Sequence, residues 1–119
     1  MSKKILIVDD DKNLVKLMRS FLFPKGYEID VAYSGKEALG YIQDPIKMNS
    51  VLLIILDRIL GDMDGIDLIP KCGNAKIIIL SVFSSEQDIL KGLKKGAAEY
   101  LTKPFNMNIL YEKIKKLIG

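Results

Sequence analysis

Short unbroken apolar runs alternate with longer stretches of helical spacing along this chain. Ile5, Leu6, Ile7 and Val8 form the first run, so Lys4 to Asp9 reads as a buried strand. Asp11 follows as a helix N-cap, its carboxylate placed to accept from orphan backbone N–H groups. Leu14, Met18, Phe21 and Leu22 recur at helical spacing, and Pro24 and Gly26 end that helix. Glu28 to Ala32 is a second, short strand. Ser34 and Glu37 have the spacing of a capping box for a second helix, which ends near Asp44 and Pro45. Asn49 and Ser50 read as loop.

The second half repeats the alternation. Val51 to Leu56 is wholly apolar and runs into Asp57, and Gly61 to Gly65 is a loop rich in Asp and Gly. A third helix should follow, short or kinked because Pro70 lacks an N–H. Lys76 to Leu80 is a fourth strand ending at Ser81. Ser85 caps a fourth helix through Leu93, and Glu99 to Thr102 is a short fifth strand. Lys103-Pro104 is a turn, and Asn106 caps a last helix with Leu110, Ile114, Leu117 and Ile118 on one face. Five βα units without a repeat or linker predict one α/β domain over residues 1–119. Its architecture is a doubly wound five-stranded parallel sheet, with five helices on both faces. Ligands of such folds sit outside the carboxyl ends of the strands.

Composition narrows the chemistry. Hydrophobic residues make up 49% of the 119 and charged residues 28%, the balance of a globular protein with its own core. The start does not look like a signal peptide, and no apolar run approaches the roughly 20 residues that span a bilayer. A cytoplasmic location without membrane contact is therefore expected. Cys72 is the single cysteine, which excludes an internal disulfide and suggests a packing residue. Histidine is absent, which removes Ser-His-Asp triads, Cys-His pairs and histidine metal ligands. Any phosphohistidine chemistry must use a partner's histidine. Net charge is +3; Lys91, Lys94, Lys95, Lys113, Lys115 and Lys116 read as solvated helix faces, since a nucleic-acid patch would interleave aromatics.

The strand ends carry the chemistry. The first strand ends in Asp9 and Asp10, the third in Asp57 and the fourth in Ser81, and the fifth is followed by Lys103. An Asp after a strand is often only a turn former or a cap. Three carboxylates, a hydroxyl and an ammonium on one rim are harder to explain that way. Clustered carboxylates raise one another's pKa, and a hard divalent cation such as Mg²⁺ relieves the repulsion. Ser81 and Lys103 are donors suited to the equatorial oxygens of a transferred phosphoryl group, and Asp serves as a covalent nucleophile in such transfers. The nucleotide-binding motifs G-x-x-x-x-G-K-[ST] and G-x-G-x-x-G are missing. Asp62-Met63-Asp64-Gly65 places its glycine too early for an EF-hand. A haloacid-dehalogenase-type phosphatase would want a second Asp where Ile59 stands.

Ile5-Leu6-Ile7-Val8-Asp9-Asp10-Asp11, Leu56-Asp57, Met63-Asp64-Gly65, Ile79-Leu80-Ser81 and the run from Gly96 to Phe105 occur in an order that resembles response-regulator receiver domains of bacterial two-component signalling. The resemblance spans essentially the whole chain. It implies a flavodoxin-like fold with strand order 2-1-3-4-5 and makes Asp57 the phosphoacceptor. Mg²⁺ would be bound by Asp10 directly, by Asp9 through water, by Asp57 and by the backbone carbonyl of Ile59. Ser81 would donate to the phosphoryl group and move with it, and Lys103 would pair with its oxygens, and with the Asp57 carboxylate before reaction. Tyr100 would be the switch aromatic, swinging inward when Ser81 moves, and Lys103-Pro104 would be cis. The implied partners are a histidine kinase or histidine phosphotransferase as donor, and a downstream effector protein or domain that reads the surface around the fourth and fifth helices. The state would be a monomer or a phosphorylation-dependent dimer, with slow self-dephosphorylation. Gly61, where the family often has proline, Val82, where it usually has alanine or glycine, and Pro70 depart from the pattern. No output domain is recognisable, so the chain reads as a stand-alone receiver or the receiver half of a larger regulator. The competing reading is a pseudo-receiver, an interaction module indifferent to phosphate.

Overall fold

A computed structural model describes residues 2–119. Its elements in chain order are β1 (Lys3–Val8), α1 (Lys12–Leu22) with a 3₁₀ turn (Phe23–Lys25) at its end, β2 (Tyr27–Ala32), α2 (Gly35–Ile42), α3 (Pro45–Met48), β3 (Val51–Asp57), a longer 3₁₀ helix (Gly65–Lys71), β4 (Lys76–Ser81), α4 (Glu86–Lys94), β5 (Glu99–Thr102) and α5 (Met107–Ile118). The five strands pair in parallel in the order β2-β1-β3-β4-β5. This is the doubly wound α/β sheet that the alternation predicts.

The continuous apolar strands are explained by what covers them. Successive strand side chains point to opposite faces. Leu6, Val8, Ile54, Leu56, Ile77 and Ile79 bury against Ala38 and Ile42 of α2 and against Ile66, Leu68 and Ile69 of the 3₁₀ helix. Their neighbours Ile5, Ile7, Leu53, Ile55, Ile78 and Leu80 bury on the other face, against Val15, Met18 and Leu22 of α1 and Leu110 and Ile114 of α5. The central strands are covered on both faces, so β1, β3 and β4 carry buried apolar residues on both sides, whereas the edge strand β2 alternates Tyr27, Ile29 and Val31 with Glu28 and Asp30.

The caps fall where the side chains can reach. Asp11 accepts from the Leu14 N–H, Ser34 from Glu37, Ser85 from Asp88 and Asn106 from Asn108. Glu37 reaches back to the Tyr33 N–H, one residue before the cap. Two expectations need correction. The anticipated third helix is wound throughout as 3₁₀, with Pro70 inside it. The loop after α2 holds an additional short helix, α3, with Pro45 in its first turn and the Asp44 carboxylate accepting from Ile46 and Lys47. Asp-Pro is a helix start as well as a stop, because proline at the first helical position has no N–H to leave orphaned. Cys72 is buried and donates to the Leu68 carbonyl at 3.2 Å, and burial pushes its thiol up to about 11. No helix among the described residues is long and apolar enough to cross a membrane.

Candidate functional site

All parallel strands deliver their carboxyl ends to one edge, which brings residues distant in sequence into one pocket. Asp9 and Asp10 follow β1, Asp57 closes β3, Ser81 closes β4 and Lys103 follows β5. Asp9, Asp57 and Ser81 are buried and Asp10 is exposed. One carboxylate oxygen from each of Asp9, Asp10 and Asp57 lies within 4.8 Å of the others. Lys103 Nζ donates to Asp9 Oδ2 at 3.0 Å and to Asp57 Oδ2 at 3.3 Å. The Lys103–Pro104 peptide is cis.

Backbone donors fix the carboxylates. The Asp11 N–H donates to Asp9 Oδ1 at 2.9 Å, and the Ile59 N–H to Asp57 Oδ1 at 3.1 Å. Ile59 thus stands at the pocket through its backbone, while its side chain is exposed. Ser81 Oγ accepts from the Phe83 N–H at 3.0 Å, which ties the hydroxyl to the β4–α4 loop. Tyr100 donates its hydroxyl to the Phe83 carbonyl at 2.6 Å. Its ring lies against Gly92 of α4, where an added Cβ would come 3.0 Å from the ring.

Burial and the neighbouring Asp9 push the Asp57 pKa up to about 6, although Lys103 and the Ile59 N–H pull it down. One ammonium therefore does not neutralise the pocket. Three hard oxygen donors with residual negative charge suit a divalent cation, and the absence of sulfur and imidazole donors disfavours softer metals.

The loop after β3 is held from two sides. Gly65 packs so tightly under Asp57 that an added Cβ would fall 2.2 Å from the Asp57 carbonyl, and its N–H donates to the Arg58 carbonyl. Gly61 has φ +79°, a conformation closed to proline, so this turn differs in kind from a proline turn. Asp62 reaches across to α2 and accepts from the Gly35 and Lys36 N–H groups at 2.9 and 3.0 Å, which lower its pKa. The sequence motif gave no hint of that contact. Nor did it single out Arg58, whose guanidinium is buried beside the pocket. A charged residue directly after an unbroken apolar strand is the signal that could have raised it.

The family model described as "Response regulator receiver domain" matches residues 5–115. The transcriptional regulatory protein CpxR of Escherichia coli (strain K12) is 35% identical over 118 residues, covering 97% of this chain and 49% of CpxR. The chain thus spans about half the length of the curated relatives it matches. A two-component response regulator from Clostridium difficile has a crystal structure that superposes with a TM-score of 0.89 at 39% identity, covering 98% of this chain and 96% of that one. A response regulator from Burkholderia pseudomallei, crystallised with a phosphorylated aspartic acid, calcium ion and citrate, superposes at 0.82 with 28% identity, over 99% of this chain and 67% of that one.

Proposed function

This chain belongs to the response-regulator receiver family, and from that premise we propose that Asp57 takes a phosphoryl group from a phosphohistidine on a partner histidine kinase or phosphotransferase. An Asp57 oxygen attacks phosphorus as the P–N bond breaks, and the departing imidazole of the partner keeps the bond's electron pair and is protonated. The observation that carries this reading is the buried Asp57 carboxylate at the centre of two further carboxylates and one lysine. Asp10, Asp9, Asp57 and the Ile59 carbonyl would hold Mg²⁺, which when bound neutralises the developing charge. Lys103 leaves its carboxylate partners to pair with a phosphoryl oxygen. Ser81 turns its hydroxyl toward another oxygen and, through the Phe83 N–H, draws the β4–α4 loop with it. Tyr100, hydrogen-bonded to that same loop, is the switch aromatic.

The readout is a changed surface on α4 and α5, where Leu90, Leu93 and Ile109 are exposed. A downstream effector protein or domain reads it, directly or through a phosphorylation-dependent dimer. Lys113 and Lys116 of α5 pair with Glu99 at 2.8 and 3.3 Å, and the exposed apolar residues support reading this face as a protein contact. The experiment is labelling by acetyl phosphate with Mg²⁺, compared with Asp57→Asn. The wild type should gain an acid-stable, base-labile phosphate and the variant none; equal labelling would overturn the assignment.

A further inference from the structure

Among the described residues four polar or charged ones are buried: Asp9, Asp57, Ser81 and Arg58. The first three belong to the proposed phosphoryl site. Arg58 is 5% exposed, and its contacts leave the pocket and join three other segments. Its Nε lies 3.6 Å from Asp64, the cap of the 3₁₀ helix. Its Nη1 lies 3.7 Å from the Asp88 carboxylate and donates to the Asp88 carbonyl at 3.4 Å, in the first turn of α4. Its Cζ is 5.3 Å from the centre of the Phe83 ring, in the β4–α4 loop. Tyr100 holds the same loop through the Phe83 carbonyl at 2.6 Å.

This is an expensive way to fill space. The ion pairs are long, and Nε has no hydrogen-bond partner among the described residues. A buried guanidinium held this loosely adds little stability over an apolar residue of the same volume. Burial works against its charge, yet the Tyr100 hydroxyl and the carboxylates of Asp64 and Asp88 outweigh that effect and raise its pKa. Meanwhile α4 has few other anchors. Gly92 is its one buried residue among those described, and Val82 in the preceding loop is 59% exposed. A segment with so little apolar burial takes its position from its polar contacts.

We propose that Arg58 is a positioning residue that latches the β4–α4 loop and α4 to the phosphoacceptor strand, in the arrangement in which the Tyr100 hydroxyl bonds the Phe83 carbonyl. The latch rests on the receiver reading above and deepens it. A phosphoryl group that favours this arrangement binds in proportion to the population already latched. Loss of the latch therefore weakens phosphoryl-mimic binding without touching the carboxylates that hold the metal.

Beryllofluoride binding in the presence of Mg²⁺ tests this in wild type, Arg58→Met, Asp88→Asn and the double variant. Each single variant should bind beryllofluoride about fivefold more weakly, the low end of coupling between sites. The double variant should lose no more than Arg58→Met alone, because the ion pair that Asp88→Asn removes is already gone in Arg58→Met. Arg58→Lys should recover part of the loss, and Mg²⁺ affinity without beryllofluoride should stay within about twofold in all of them, because neither the Arg58 nor the Asp88 side chain is a ligand of the metal. Asp88→Asn alters a partly exposed side chain, so it reads the same contact should Arg58→Met disturb folding. Unchanged or tighter beryllofluoride binding in the variants, additive losses, or a parallel loss of Mg²⁺ affinity would overturn the latch while leaving the receiver reading intact. Failure of the wild type to bind beryllofluoride would overturn both.

Discussion

Lys103 stands closer to Asp9, at 3.0 Å, than to Asp57, at 3.3 Å. The ammonium is divided between the two carboxylates, and Asp9 also accepts from the Asp11 N–H. This division explains why Asp57 keeps a raised pKa of about 6 with a lysine beside it: burial first, and Asp9 second, outweigh a shared cation.

A raised carboxyl pKa has a definite sign for stability. The folded protein binds the Asp57 proton more tightly than the unfolded chain, so this contribution is present below about pH 4 and is lost as pH rises through about 6. In chelator, Asp57→Asn should therefore be more stable than wild type at pH 7 by about 1–3 kcal/mol, with the gap closing toward pH 4. Urea unfolding across that range checks it; a variant less stable than wild type at pH 7 would count against the charged pocket.

Mg²⁺ should be required for phosphorylation, and chelation should stop it. Asp10→Ala should weaken Mg²⁺ binding by about tenfold or more, because a hard cation depends on a direct carboxylate. Titration calorimetry gives the affinity, and labelling in excess chelator gives the dependence.

Lys103→Ala should leave phosphorylation measurable and weaken the response of the α4 and α5 surface. The ammonium acts as a point charge on the phosphoryl group and not as the nucleophile. Amide chemical-shift changes in α4 and α5 on adding beryllofluoride report the response, and an undiminished response would reduce Lys103 to a turn residue.

The phosphorylated form should be long-lived. Ile59, Val82 and Phe83, at the positions that border the approach to the phosphoacceptor in receiver geometry, are apolar and exposed. None can orient a water for in-line attack. Adding polar groups with Ile59→Asn and Phe83→Glu together should speed hydrolysis by about one to three orders of magnitude, since positioning dominates phosphoryl transfer. A decay assay decides it, and native decay within seconds would refute the idea.

Far from the pocket, the Tyr41 hydroxyl donates to Asp30 at 2.5 Å and, with Lys4 at 3.4 Å, holds the Asp30 pKa below its ordinary value. That contribution is present above the unfolded pKa and disappears as pH falls through the folded one. Tyr41→Phe should raise the Asp30 pKa toward normal, seen by carboxyl NMR. The stability cost should stay under about 1 kcal/mol, because Asp30 is partly solvated.

Much of this molecule follows from sequence-local physics. Apolar runs too short for helices and unbroken by polar residues can only be strands covered on both faces, and a parallel sheet then sends every strand end to one edge. Asp9, Asp10, Asp57, Ser81 and Lys103 could be assigned to one rim on that ground alone. Most caps were legible for the same reason, since each bond spans two to four residues.

What sequence could not reach depends on contacts made across the fold. Pro70 announced a disturbed helix, but neither its 3₁₀ winding nor the close fit of Gly65 against the Asp57 backbone is legible in the local sequence, since that fit is made only by packing. Asp62 looks like a loop residue until α2 is laid beside it, 27 residues away in the chain. The preference of Lys103 for Asp9 spans 94 residues and rests on which oxygen the closed pocket brings nearer. Arg58 is the extreme case. A charge after a strand is ordinarily solvated, and only the approach of the Asp64 loop, Phe83 and α4 from three sides encloses it.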